Sequence, residues 1–115
     1  MDILFASKKL EQLCHDDKLA TRTLGAPSAR KLFARLDDLI AAANLSYAPK
    51  LPGRFHGLSG NRVGQFALDL HGGCRLVIEP TIEPTKEPLP RRPDGSLDLS
   101  KVTTIKVVYV GDYHE

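Results

Sequence analysis

The segment Val102 to Glu115 constrains this chain more than any other. Its first nine residues, Val-Thr-Thr-Ile-Lys-Val-Val-Tyr-Val, are rich in β-branched and aromatic types and hold no Pro or Gly. That is the composition of a strand, and one so apolar belongs in the middle of a sheet rather than at its edge. Gly111 then interrupts it, which predicts a bulge or a re-aimed backbone. Asp112, Tyr113 and His114 follow directly, so a rigid element ends on an acid, a phenol and an imidazole.

The chain before it supplies the rest of an α+β domain. Ile3 to Ala6 reads as a short strand, and Ser7 can cap a helix. Lys8 to about Leu24 places Leu10, Leu13, Cys14, Ala20 and Leu24 on one helical face, and Gly25 is a stop signal. Pro27 suits the first turn of a second helix, whose apolar face is Ala29, Leu32, Phe33, Leu36, Leu39, Ile40 and Ala43. The short connection predicts an antiparallel hairpin.

Pro49, Pro52 and Gly53 end the helical region, and the period changes to two. Arg54 to Leu58 is a strand candidate, followed by a turn at Ser59-Gly60-Asn61. Gln65 to Leu70 sets Phe66, Leu68 and Leu70 on one face. His71-Gly72-Gly73 is a hairpin turn, and Cys74 to Glu79 returns with Leu76 and Ile78 inward and Arg75 on the other face. Residues 80–100 hold five of the eight prolines, which predicts a long loop with a turn at Pro93-Asp94-Gly95. The expected architecture is a single domain over residues 1–115. An N-terminal strand and an antiparallel helical hairpin pack on one face of a mainly antiparallel sheet of about four strands. The other face is left for polar side chains.

Composition narrows the function classes. A chain of 115 residues with net charge +2 and pI near 8.6 permits a nucleic-acid partner without requiring one. The absence of Trp, with only four Phe and three Tyr, argues against an extended base-stacking platform. No apolar run reaches membrane-span length, and Met1-Asp2-Ile3-Leu4-Phe5 lacks the basic start of a secretory signal. Cys14 and Cys74 match neither a disulfide framework nor a zinc motif, and are expected to be buried, reduced and inert in a cytosolic protein.

Of the four histidines, His15 in a polar part of the first helix and His71 in a tight turn read as solvated. His56 alternates with Phe55 and so faces away from that aromatic. His56, His114, Asp112, Tyr113 and Arg75 on one polar surface would be an inventory for phosphodiester cleavage without a metal. A base takes the proton of a ribose 2′-hydroxyl, an acid protonates the leaving 5′-oxygen, and a fixed cation meets the charge on phosphorus oxygens. Histidine suits the first two tasks and arginine the third. The alternative on residue types alone is that His56 is hydrogen-bonded structure and Arg75 pairs with Glu79 or Asp69. A metal site from His56, Asp112 and His114 lacks a ligand-spacing signature.

At this level of detail the chain resembles the RelE/ParE superfamily of bacterial toxins, and within it the HigB or plasmid-maintenance killer-protein branch. The resemblance is carried by residues 51–62 (Leu-Pro-Gly-Arg-Phe-His-Gly-Leu-Ser-Gly-Asn-Arg), 64–68 (Gly-Gln-Phe-Ala-Leu), 74–78 (Cys-Arg-Leu-Val-Ile) and the terminal Asp112-Tyr113-His114. Lys8-Lys9-Leu10-Glu11 and the helical hairpin fit as well. The resemblance implies a ribosome-dependent mRNA endoribonuclease that needs no cofactor or metal. It also implies a cognate helix-turn-helix antitoxin, with operator DNA reached only through that antitoxin, and a cytoplasmic setting without a membrane. It assigns His56 and His114 to the acid and base tasks, Asp112 to orienting a histidine, Tyr113 to positioning the nucleotide and Arg75 to the phosphate.

Two surfaces extend this expectation. Arg62 and the basic helical residues Lys8, Lys9, Arg30 and Arg35 are candidates for RNA or ribosome contact, although carboxylates on the same helices oppose them. The segment 80–100 is longer than the tight hairpin of compact family members and is expected to flank the site, alter ribosome docking or contact the antitoxin, with Arg91 and Arg92 toward rRNA. The alternatives are a ParE-like toxin that targets gyrase without nuclease activity, and an inactive module that only binds an antitoxin.

Overall fold

The computed structural model describes residues 1–83, 85 and 87–112. The strands are β1 (Asp2–Phe5), β2 (His56–Gly57), β3 (Phe66–Asp69), β4 (Cys74–Pro80) and β5 (Thr104–Asp112), in the spatial order β1-β5-β4-β3-β2. The final strand is internal, as its composition requires. It pairs antiparallel with β4 and parallel with β1, and β2 to β4 form the antiparallel remainder. The sheet has five strands, the N-terminal one being part of it.

The helical region departs from the expected hairpin at one residue. The segment read as one helix from Lys8 to Leu24 is two, α1 (Lys8–His15) and α2 (Asp17–Leu24). Asp16 between them is extended (φ −122°, ψ 103°), and its carboxylate accepts the Leu19 N–H at 3.0 Å. An aspartate gains more by capping a new helix than by continuing an old one. Gly25, at φ +89°, then turns the chain into α3 (Ala26–Ala41), with Pro27 in its first turn.

One face of the sheet carries the main core. Leu32, Leu36 and Leu39 of α3 pack with Leu68, Leu70, Leu76, Ile78, Ile105 and Val107. Each such side chain contributes about 1.5–3 kcal/mol by leaving water. Leu13, Ala20 and Ala29 form a smaller cluster against which Val110 packs. Among the described residues, no helix is long and apolar enough to cross a membrane.

The residues described between 80 and 100 include a small hairpin of their own. Arg91 bridges Leu97, the Arg92 N–H reaches the Ser96 carbonyl at 2.8 Å, and the Asp94 carboxylate accepts the Ser96 N–H at 2.9 Å across the expected Pro93-Asp94-Gly95 turn. Leu97 and Leu99 pack against the core, and Glu83 pairs with Lys106. This arm leaves the sheet where Pro80 faces Ile105, whereas Arg75 faces Gly111. Five residues of strand, about 17 Å, separate the two ends. The arm therefore emerges at the end of the ladder opposite Arg75.

Candidate functional site

Cross-strand pairing fixes which side chains share the face away from the helices. His56 pairs with Ala67, Ala67 with Val77, and Val77 with Tyr109, so these four form one row. Asp69, Arg75 and Gly111 form the next row on the same face. Phe55, beside His56 in sequence, stacks on Phe66 at 4.7 Å and packs into the core, so the expected outward aim of His56 holds.

Arg54 sets the orientation of His56. Gly53 lies at φ +115° and Arg54 at φ +51°, the latter being the non-glycine residue with positive φ among those described. A side chain in that region costs about 1–3 kcal/mol, and such strain gathers at functional sites. In this conformation the Arg54 carbonyl oxygen lies 2.7 Å from His56 Nδ1. A carbonyl only accepts, so Nδ1 carries the proton and donates it. In the neutral ring Nε2 is then the nitrogen that can take a proton.

Asp69 is the centre of the charged cluster, although the sequence alone marks it only as a pairing alternative for Arg75. Its carboxylate accepts from Arg54 Nε at 2.8 Å and Nη2 at 3.2 Å, and forms an ion pair with Arg75 Nε at 2.9 Å. Arg75 Nη1 donates to the carbonyls of Gly72 and Cys74, each at 3.2 Å. Partial burial pushes the Asp69 carboxyl up, but the Arg54 hydrogen bond and the charges of Arg75, Arg54 and His56 outweigh it and hold the group below the usual carboxylate value. The backbone of Asp69 is also tied: its N–H donates to the Gly53 carbonyl at 2.6 Å, and its carbonyl accepts from Arg35 Nε at 3.2 Å. Strand alternation and the His71-Gly72-Gly73 turn, both visible in the sequence, would have placed Asp69 opposite Arg75.

The far end of β5 differs from expectation. The bulge lies at Val108, where the register slips between Val77 and Ile78, not at Gly111. Gly111 stays in the ladder at φ +154°, and a Cβ there would lie 2.9 Å from Tyr109 Oη. The Tyr109 ring thus lies against the glycine, donates its hydroxyl to the Asp112 carbonyl at 3.0 Å, and carries the Arg62 guanidinium 4.8 Å from its centroid. Arg62 is held further by Gln65 at 3.0 Å. Asp112 pairs with Cys74, so by register it lies on the face opposite Arg75, its carboxylate against Gly73. The expected single surface of Asp112, His56 and Arg75 is corrected on this point. Tyr113 and His114 lie outside the described residues.

The remaining candidates sit elsewhere. Lys8, Lys9 and Arg30 are exposed on the helical layer, while Arg35 is half-buried and crosses Gly53. Cys14 is buried, and burial pushes its thiol up to about 12; Cys74 is only half-buried, contrary to the expectation for both. Among the described residues, no group of three His, Cys, Asp or Glu is placed to hold a metal ion.

This architecture is that of the RelE/ParE-like toxin fold. A solved structure of a YoeB/ParE toxin from Agrobacterium tumefaciens is similar to the chain with a TM-score of 0.53 and 14% sequence identity, covering 99% of this chain and 100% of that one. No protein-family model and no curated protein matches the sequence.

Proposed function

We propose that this chain is the toxin of a toxin–antitoxin pair and acts as an endoribonuclease on mRNA held by the ribosome, as the HigB-type resemblance implies. The observation that carries the reading is the 2.7 Å contact between His56 Nδ1 and the Arg54 carbonyl, which commits the ring to one tautomer on a face that also presents two arginines. A histidine with one nitrogen pinned to a carbonyl moves protons through the other.

In this reading His56 Nε2 serves one half of the acid–base pair and His114 the other. The 2′-oxygen gives up its proton and attacks phosphorus, the bond to the 5′-oxygen breaks, and that oxygen is protonated as it leaves. Arg75 meets the charge on the non-bridging oxygens. Tyr113 positions the nucleotide, and Asp112 acts on His114 from the end of β5. Lys8, Lys9, Arg30 and Arg62 contribute contacts to RNA. The partners are a helix-turn-helix antitoxin and, through it, operator DNA, in the cytoplasm.

The test is cleavage of mRNA on translating ribosomes by purified protein. Wild type cuts, and His56→Ala slows cleavage about 10²–10⁴-fold, the range for a lost general acid or base. Cleavage by His56→Ala at the wild-type rate contradicts the reading. So does a wild type that arrests growth with mRNA intact.

A further inference from the structure

We propose that Asp69 is a positioning residue that holds Arg54 and Arg75 together as one receptor for a single RNA phosphate, with Arg54 as the second phosphate ligand. This rests on the nucleic-acid reading above and extends it to residues that reading did not use. The geometry is specific. One carboxylate oxygen is shared by Arg54 Nη2 and Arg75 Nε, at 3.2 and 2.9 Å, and the other accepts Arg54 Nε at 2.8 Å. Two planar cations, one from the segment before β2 and one from β4, are thereby brought to one point. Arg75 is oriented on three sides, by Asp69 and by the Gly72 and Cys74 carbonyls; among the described residues its Nη2 makes no hydrogen bond.

The carboxylate is itself fixed. Its backbone is bonded to Gly53 on one side and to Arg35 on the other, and its charge persists because the cluster keeps it ionised. Arg54 is the more exposed partner, with 61% of its side chain exposed against 24% for Arg75. A phosphodiester matches a guanidinium fork as a carboxylate does, and Arg54 can turn from Asp69 to an arriving phosphate while Arg75 stays in place. The left-handed backbone of Arg54 links the receptor to the base: one residue supplies both the carbonyl that fixes His56 and the guanidinium.

The signs of the effects separate positioning from bulk charge. Removing a carboxylate makes the protein more positive, so charge alone predicts that Asp69→Asn binds RNA more tightly. Positioning predicts weaker binding. The probe is a short 2′-O-methyl single-stranded RNA, which lacks the attacking hydroxyl, titrated by fluorescence anisotropy across a salt series. Thermal unfolding is followed on every variant. Arg54→Gln and Arg75→Gln each weaken binding about tenfold, and the double variant lowers the salt slope by about 0.7, the value for one phosphate on a single strand. Arg91→Gln, in the distant arm, leaves binding unchanged. Asp69→Asn weakens binding in wild type and has no further effect in the Arg54→Gln/Arg75→Gln double variant, because it acts through those two residues.

Equal effects of Arg54→Gln and Arg91→Gln overturn the proposal, as does tighter binding by a folded Asp69→Asn. A wild type that does not bind the probe also overturns it. Binding with this pattern but without cleavage on ribosomes leaves the receptor standing and removes the nuclease reading instead.

Discussion

The two faces of this sheet are built from the same strands and obey opposite rules. Along β4, Leu76 and Ile78 are sealed against α3, while Arg75 between them and the turn is held in a lattice of charge. Along β3, Leu68 is buried and Asp69 grips two arginines. One face resists water with volume, and the other combines buried Ala67 and Val77 with pairing around Asp69; along β3 and β4 the two are one residue apart. A slip of one residue would exchange them. The bulge at Val108 is where the molecule uses this: it lets Ile105, Val107 and Val110 all face the helices while Tyr109 and Gly111 turn to the outer face.

Substitutions on the helix face should act on stability alone and be the largest. Leu76→Ala removes a fully buried side chain, and urea unfolding should show a loss of about 2–5 kcal/mol. A loss under 1 kcal/mol would mean that this face is not the sealed one. Gly53→Ala comes next. A Cβ there would lie 2.6 Å from Arg35 Nε at φ +115°, so the cost is about 1–3 kcal/mol, with the contact to the Asp69 carbonyl disturbed.

The outer face should respond to pH instead. The folded-state pKa of Asp69 lies below its unfolded value, which is about 3.9 for a free aspartate. The stability it contributes is therefore present above that value and is lost as pH falls through the folded one. The difference in unfolding free energy between wild type and Asp69→Asn should be steady near neutrality and shrink below about pH 4. A difference that grows on acidification would reverse the assignment. The smallest effect is expected in the arm. Arg91→Ala with Arg92→Ala should change stability by about 0.5 kcal/mol or less and cleavage by under about twofold, since exposed pairs contribute little.

How much of this was legible in the sequence follows from the same contrast. The helix face was readable because aliphatic periodicity is visible without partners: Leu32, Leu36 and Leu39, then Leu68, Leu70, Leu76 and Ile78, were all assigned inward. The outer face was readable only in part. His56 was placed correctly by its alternation with Phe55. Asp112 was not, because Val107-Val108-Tyr109-Val110 has no polar residue to mark the bulge that changes its face. The break at Asp16 was hidden by the apolar spacing on both sides of it. The role of Arg54 depends on a backbone angle that a strand-like sequence does not announce, and Asp69 gains importance only when three segments meet.

The decisive measurement is single-turnover cleavage of mRNA on programmed ribosomes by wild type and His56→Ala, with unfolding curves for both. The outer-face reading predicts a loss of about 10²–10⁴-fold in rate with stability changed by about 1 kcal/mol or less. Equal rates from two equally folded proteins would contradict it.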